Sequence, residues 1–463
     1  FIGEYHQAFA NSNFLTDFGY TEGYKNTSRT KKAGEKSHFF SKFIKNFKGQ
    51  EGSDNSLSLI TQKVSDDKYL KLYKIDSNLV DYNLETLENS INFTHSDKDL
   101  FFGFNASLYE TLKEGQNDKY EYVFPEITID KNILSSERFG NIDLQTNFKA
   151  HNYDTNKQTN FLVNDLEWES NDKIINSTIK SKLLGKLKNI NYEAKNVKVY
   201  KEDTTSEMFG AIGLLTEIDF QRKKDNSNHL LTPKVLLKLS PGSMRKESSG
   251  SRLTPIDAFN LDRLNNINNF ETGNSATIGF DYNIKKNNAD KFNFSVAQII
   301  NEKENKKYHS KSSLDEKLSD LVGSTSFKAT DNLEFNYKFS LDQNYQDLNY
   351  NDLGSKIKMG NLDLNFNYIE ESKHIGNQEY FKTKVSYDNN KNGLISFETK
   401  RDLITNSSEF YDLSYEYIND CLRAGLVYRR EFYNDSELEP ENSLMFNITL
   451  TPFGSINSPK FNK

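Results

Sequence analysis

The sequence predicts an all-β fold, a large antiparallel transmembrane β-barrel. Three observations predict it. Apolar and polar residues alternate with period two, the connections between the alternating stretches differ in length in a regular order, and mean hydropathy is low at -0.77 although 13% of the residues are aromatic. Disordered chains are poor in aromatic residues, so the low hydropathy indicates how the apolar residues are arranged rather than that they are scarce.

The alternation is plain in stretch 361–368, NLDLNFNY, where every second residue is a leucine or an aromatic residue. Stretches 333–341, 276–284 and 100–108 show the same pattern. Successive side chains of a strand point to opposite faces, so each stretch is a strand with one apolar and one polar face. We expect roughly 23–25 such strands, many of them near the ~9–11 residues with which a tilted strand crosses a bilayer.

The connections alternate between tight turns and longer loops when followed back from the C-terminus. The predicted turns are 418–420, 359–361 and 330–332, and the predicted loops include 433–442, 301–320 and 241–274. Short turns at one end and long loops at the other are typical of outer-membrane barrels. A soluble sandwich or propeller also alternates, but this many strands would then divide into domains or blades, and the sequence contains no linker or repeat.

Composition excludes several function classes. The net charge of -7 argues against a nucleic-acid partner. The single cysteine and seven scattered histidines have no metal-ligand spacing, and no catalytic or phosphate-binding motif occurs. We therefore predict no enzyme activity, no catalytic or metal-binding residues and no cofactor. The many carboxylates are expected to be solvated, either on the wall of the lumen or in the loops.

Several segments together resemble the LptD family, the large outer-membrane lipopolysaccharide-assembly proteins also called organic solvent tolerance proteins. The segments that carry the resemblance are 37–47, 63–76, 231–245 (LTPKVLLKLSPGSMR), 259–264 (FNLDRL), 274–284, 290–300, 419–432 and 442–454. The resemblance runs nearly end to end. The family has an N-terminal jellyroll followed by a barrel of about 26 strands. The resemblance therefore implies that the whole chain 1–463 is a single barrel domain, truncated at its N-terminus and without the jellyroll.

The resemblance also implies a function and partners. The expected function is that of an outer-membrane translocon that assembles lipopolysaccharide into the outer leaflet. Lipopolysaccharide would arrive over a periplasmic LptA-like bridge through the missing N-terminal domain, and an LptE-like lipoprotein would plug the lumen. Acyl chains would reach the outer-membrane lipid through a lateral gap between the first and last strands.

Two sets of residues follow from this resemblance. The stretch 444–450 is the expected last strand, with Leu444, Phe446, Ile448 and Leu450 on the lateral gate and Pro452 at its end. Strand directions counted back from it predict that one or three strands are missing upstream. Cys421 lies at the periplasmic foot of the preceding strand, where the resemblance implies a disulfide to the missing N-terminal domain; the alternative is a buried small apolar residue.

Two other function classes remain open at this point. The alternative barrel function is that of a porin or a TonB-dependent receptor, in which loop 241–274 would be the constriction loop. A soluble or secreted β-rich adhesin is the third hypothesis. Detergent dependence and heat-modifiable migration on gels would separate this adhesin from both barrels.

Overall fold

A computed structural model describes the chain from 1 to 463 except for residues 23–33, 50–51, 74, 76, 83, 114, 176–177, 225, 249, 265, 288, 390–391, 420–421, 432–441, 451–453 and 458–463. The described residues form one antiparallel sheet of 26 strand segments. One short helix, α1 (Tyr69–Tyr73), and a 3₁₀ turn at Asp257–Phe259 lie in the connections. None of the helices in the described part of the chain is long and apolar enough to span a membrane.

The strand segments follow each other along the chain, and most pair with the next one. They are β1 (Ile2–Ala8), β2 (Ser12–Thr21), β3 (Lys36–Lys48), β4 (Asp54–Val64), β5 (Thr86–Ser96), β6 (Leu100–Thr111), β7 (Tyr120–Ser136), β8 (Gly140–Tyr153), β9 (Gln158–Glu169), β10 (Lys173–Ile175), β11 (Ile179–Lys195), β12 (Thr205–Ile218), β13 (Phe220–Lys224), β14 (Ser227–Leu239), β15 (Ser275–Lys286), β16 (Ala289–Asn301), β17 (Leu321–Thr330), β18 (Leu333–Leu341), β19 (Leu348–Met359), β20 (Leu362–Glu371), β21 (Gln378–Asp388), β22 (Gly393–Asp402), β23 (Ser407–Ile418), β24 (Leu422–Glu431), β25 (Asn442–Leu450) and β26 (Gly454–Asn457).

Two of the strands are interrupted. β9 and β10 both pair with β11, and β12 and β13 both pair with β14. Counting each interrupted pair once gives 24 antiparallel strands. This number lies within the predicted range, and the all-β barrel fold expected from the sequence is confirmed.

The two ends of the sheet differ as predicted. Tight connections such as 97–99, 331–332 and 360–361 gather at one end, which we call the turn end. Gly360 has φ +59°, a left-handed conformation that suits a two-residue hairpin turn and that glycine adopts without strain. Connections 240–274 and 302–320 lie at the opposite end, the loop end. In an outer-membrane barrel the turn end faces the periplasm and the loop end faces the exterior.

The two faces of the sheet also differ. The outer face carries exposed apolar residues such as Leu187 (53%), Leu237 (50%) and Ile278 (52%), whereas their chain neighbours Lys188 and Thr277 on the inner face are buried beneath loops. An outer surface this apolar suits hydrocarbon rather than water. The inner face is therefore the wall of a lumen, and the described part of its loop end is filled by folded loops.

The C-terminal edge of the sheet corrects one expectation. The stretch 444–450 lies in β25 and is not the last strand, because Gly454–Asn457 forms β26 and pairs with Asn447–Leu450. One or three missing strands were predicted on the premise that 444–450 is the last strand, and β26 removes that premise. A segment of four residues is too short to show a period of two, which is why the alternation did not reveal β26. β1 and β26 lie side by side, and the described residues form no ladder between them.

Candidate functional site

A polar recess of about 700 Å³ lies in the lumen wall formed by β16–β22. Nine of its seventeen lining residues are serine, threonine or asparagine, and four more are lysines: Lys338, Lys356, Lys382 and Lys384. These residues belong to the polar faces that the alternation predicted, for example Asn365 and Asn367 in stretch 361–368. The recess is thus lined by many residues whose side chains can donate hydrogen bonds.

The recess carries more positive than negative charge. Its lining contains two carboxylates, Asp352 and Glu398. Glu398 lies 2.8 Å from the Nζ of Lys382 and 3.2 Å from that of Lys384, while Asp352 accepts hydrogen bonds from Tyr350 and Asn367. Four lysines against two carboxylates leave a positive surplus, which favours an anionic ligand group such as a phosphate.

The loop 240–274 folds into the loop end of the lumen. Leu261 and Phe270 from this loop pack against Phe209 of β12 and Leu236 of β14, and the rings of Phe209 and Phe270 stack with centroids 5.9 Å apart. The loop comes so close to β12 that a Cβ atom on Gly213 would lie 2.6 Å from Leu261 Cδ2. The loop is therefore seated on the wall by an apolar core of its own.

A buried carboxylate fixes the same loop by charge. Glu271 accepts hydrogen bonds from the backbone N–H and the Nε of Arg263 at 2.9 and 2.8 Å, and the Nζ of Lys238 on β14 lies 2.8 Å from it. Burial alone would raise the pKa of the Glu271 carboxyl, but the charges of Arg263 and Lys238 and their hydrogen bonds lower this pKa to about 2. The carboxylate is thus ionised at all physiological pH values.

A second buried group joins three segments of the loop end. His374 lies between two carboxylates, with Nε2 3.0 Å from Asp320 and Nδ1 3.1 Å from Glu371. Glu371 also accepts a hydrogen bond from the Nε of Arg252 in loop 240–274 at 3.0 Å. Burial raises the pKa of Asp320, but hydrogen bonds from His374, Asn349 and Ser340 outweigh it, and the net pKa is lowered. This group ties loops 240–274, 302–320 and 372–377 together.

The loop 65–85 covers another part of the lumen wall. Tyr69 and Leu70 of α1 pack on Phe40 and Leu87, which face inward from β3 and β5. A second contact reaches β1, because Asn78 donates from its backbone and side-chain nitrogens to Glu4 at 3.1 and 2.6 Å. Loop 65–85 therefore closes over the wall at the loop end, as loop 240–274 does.

The structure places the predicted gate residues Leu444 and Phe446 on the outer face near the C-terminal edge. Leu444 and Phe446 are exposed and lie opposite Tyr428 and Leu426 of β24. Ile448 is partly exposed, and the side chain of Leu450 lies outside the description. Cys421 and Pro452 also lie outside the described residues, so the predicted disulfide and strand end stay predictions.

Sequence reasoning missed the buried charges. The carboxylates were expected to be solvated, which is wrong for Asp17, Glu271 and Asp320, since all three are buried. Their partners come from other strands or loops: Asp17, for example, lies 2.5 Å from the Nε2 of His38 on the next strand. Only the spacing of Glu371 and His374, three residues apart, gave a local signal.

Comparison with known proteins identifies the family to which this chain is similar. The family model described as LptD, LPS transport system D, matches residues 43–393. No curated protein gave a match. Two solved structures of mutant porins from Rh. blastica are 10% and 7% identical, with TM-scores of 0.25 and 0.28; they cover 66% and 90% of this chain and 87% and 99% of their own.

A third solved chain, described as "Asymmetric conductivity of engineered proteins", is 11% identical with a TM-score of 0.27 and covers 61% of this chain and 96% of its own. The sequence identities and TM-scores of these three structures are too low for any conclusion about this chain. The family match spans most of the chain and fits the strand pattern, the two unlike barrel ends and the polar lumen. The chain therefore belongs to the LptD family, outer-membrane proteins of lipopolysaccharide transport and assembly rather than enzymes.

Proposed function

We propose that this chain is the outer-membrane translocon that inserts lipopolysaccharide into the outer leaflet. The observation that carries the proposal is the recess in the lumen wall, together with the family's role in lipopolysaccharide transport. Lipopolysaccharide joins an anionic, hydroxyl-rich sugar head to acyl chains. A recess with a lysine surplus and many amide and hydroxyl groups suits the head, and an apolar outer wall suits the chains.

The acyl chains leave sideways between the first and last strands, β1 and β26. Among the described residues, β26 pairs with Asn447–Leu450 of β25 and forms no ladder with β1 beside it. β25 itself begins with residues 442–446. The latter residues lie toward the loop end, which is the level of the outer leaflet. A strand edge without a full ladder opens at lower cost than one in the middle of the sheet. This supports the strand pair β25 and β26 as one side of the gate, with Leu444, Phe446, Ile448 and Leu450 on β25.

The partners of the translocon follow from the same proposal. An LptE-like lipoprotein occupies the lumen below the folded loops, where the inner face is polar. An LptA-like periplasmic bridge delivers lipopolysaccharide through an N-terminal domain outside this sequence. The support for both is the family, whose transport needs several components.

Photo-crosslinking in living cells tests the route of the sugar head. A photoreactive residue replaces Asn365, which lines the recess, and in a matched variant replaces Leu364, whose side chain points to the opposite face of β20 near the turn end. We expect adducts with lipopolysaccharide at Asn365 that disappear when lipopolysaccharide synthesis stops, and none at Leu364. Equal adducts at both positions would contradict a route through the lumen.

A diffusion pore is the second candidate function. The seating of loop 240–274 on the lumen wall favours it, because a loop folded inward can serve as a constriction. A pore of this kind gives stable single-channel conductance in planar bilayers. Conductance with no lipopolysaccharide adducts at Asn365 would favour the pore over the translocon.

A further inference from the structure

A second cavity opens at the loop end, away from the lysine recess. This mouth cleft has a volume of about 800 Å³ and lies on the inner side of β6–β9, bordered by the loop 196–204 and by Asn268 of loop 240–274. Its aromatic residues are Tyr109, His151, Tyr153, Phe161 and Tyr200. Phe161 and Tyr200 also belong to the apolar cluster under loop 240–274. The other three take no part in the contacts described above between the loops and the wall.

The rings of the mouth cleft form two platforms. His151 and Tyr153 of β8 stack with centroids 4.4 Å apart and an interplanar angle of 29°. Tyr200 is the second platform: Phe161 of β9, which is buried and stacked on Tyr192, meets the Tyr200 ring edge to face with centroids 5.0 Å apart and supports it from the apolar cluster. Aromatic faces pack well against the C–H groups of pyranose rings, because those groups carry a small positive charge and the ring face a small negative one.

The polar groups of the mouth cleft suit hydroxyls. No residue in the described part of the chain hydrogen-bonds the hydroxyls of Tyr109, Tyr153 or Tyr200, so these three groups are available to a ligand. Gln116 and Asn268 add amide groups at the rim. A few fixed hydrogen-bonding groups around an aromatic floor are the usual composition of a site for a polar small molecule.

The charges of the mouth cleft balance, in contrast to those of the recess. Its lining holds three lysines and three carboxylates: Lys113, Lys119, Lys157, Glu85, Asp118 and Glu121. Lys113 pairs with Glu85, Lys157 with Asp118, and Lys119 with Asp67 just outside the lining. Because the lysines are already neutralised, the cleft has no charge surplus with which to hold a phosphate.

We infer that the mouth cleft is a binding site for uncharged oligosaccharide. The inference rests on the proposed function, since it assigns the cleft to the phosphate-free part of the sugar chain as it leaves the lumen. The lysine recess and the mouth cleft then divide the head between them, with the phosphorylated part at the recess and the neutral sugars at the rim. The two platforms stack on successive pyranose rings, and the tyrosine hydroxyls bond their hydroxyl groups.

Binding to the purified full chain in detergent tests this assignment. The probe is the oligosaccharide released from lipopolysaccharide by mild acid, used with and without enzymatic removal of its phosphates, and binding is followed by saturation-transfer NMR and calorimetry. We expect saturable binding of both forms with similar affinity, and Tyr153→Leu to weaken it about tenfold. Tyr153→Phe keeps the ring and most of the affinity.

The matched control is Tyr122→Leu, a change on the outer face of the same rim, which leaves affinity as in the wild type. Heat-modifiable migration verifies that each variant is folded. The site is overturned by absence of saturable binding, by a Tyr153→Leu affinity equal to that of the wild type, or by binding only of the phosphorylated form.

A separate measurement distinguishes this inference from the proposed function. Surface lipopolysaccharide is measured in depleted cells that carry each variant. If the wild-type protein does not bind the oligosaccharide but restores normal surface lipopolysaccharide, the saccharide site in the mouth cleft is refuted and the translocon function stands. If the protein binds the oligosaccharide but its depletion does not change surface lipopolysaccharide, the translocon function is refuted and the saccharide site stands.

Discussion

Lys188 of β11 donates a hydrogen bond from its Nζ to Asp262 Oδ2 at 2.8 Å, which joins the barrel wall to a loop 74 residues farther along the chain. The same Nζ lies 3.3 Å from Asp165 on β9 and donates to the carbonyl oxygen of Asn269 at 3.2 Å. One wall lysine thus contacts two parts of loop 240–274. Contacts of this kind explain how a loop this long keeps a fixed position inside the lumen.

The Glu271→Gln change is predicted to loosen loop 240–274 from the wall. It leaves the buried Arg263 and Lys238 without their shared counter-charge, which typically costs about 3–5 kcal/mol. The measurement is hydrogen exchange of amides in loop 240–274, with strand amides of β18 as an internal reference. Glu304→Gln, at an exposed position in the neighbouring loop, is the matched control. Unchanged exchange in Glu271→Gln would show that the charge does not hold the loop.

The attachment of loop 240–274 to the wall is predicted to weaken at low pH. Although burial would raise it, the charges of Arg263 and Lys238 lower the pKa of Glu271 to about 2 in the folded protein, from an ordinary value of 4.5. A lowered folded-state pKa gives stabilisation that is complete above about pH 4.5 and is lost as the pH falls toward 2, amounting to about 3 kcal/mol. Proteolysis of the loop by an acid-active protease at pH 5 and pH 3 measures this. The Glu271→Gln protein should show a smaller difference between the two pH values, and an equal difference would refute the assignment.

The lysine surplus of the recess is predicted to matter for transport. Lys338→Glu combined with Lys356→Glu turns four lysines and two carboxylates into two lysines and four carboxylates, which repels an anionic head. We expect at least a tenfold loss of lipopolysaccharide adducts at Asn365. Lys338→Gln combined with Lys356→Gln should have a smaller effect. A charge-reversed protein that forms adducts as the wild type does would remove the recess from the route.

Cys421 is predicted to be oxidised in the natural full-length protein. In the sequence it stands between β23 and β24, whose adjoining ends lie at the turn end, and the family resemblance implies a cysteine of the N-terminal domain as its partner in the oxidising periplasm. Thiol labelling before and after reduction measures this, and labelling should rise on reduction. Equal labelling in both states would favour the alternative of a buried apolar residue.

Regular elements were predictable from the sequence, and the loop end was not. Stretch 333–341 coincides with β18, and stretch 361–368 lies almost wholly in β20, because a period of two over eight or more residues has no other common cause. The long loops predicted at 241–274 and 301–320 agree with the observed connections 240–274 and 302–320 to within one residue. Their inward fold depends on pairs such as Lys188 with Asp262, whose separation along the chain leaves no local pattern.

Controlled depletion of this protein, followed by measurement of newly made lipopolysaccharide at the cell surface, tests the translocon most directly. The account predicts that surface lipopolysaccharide stops increasing as the protein is lost and that re-expression of the wild type restores it. New lipopolysaccharide that continues to reach the surface of depleted cells at the normal rate would contradict the account.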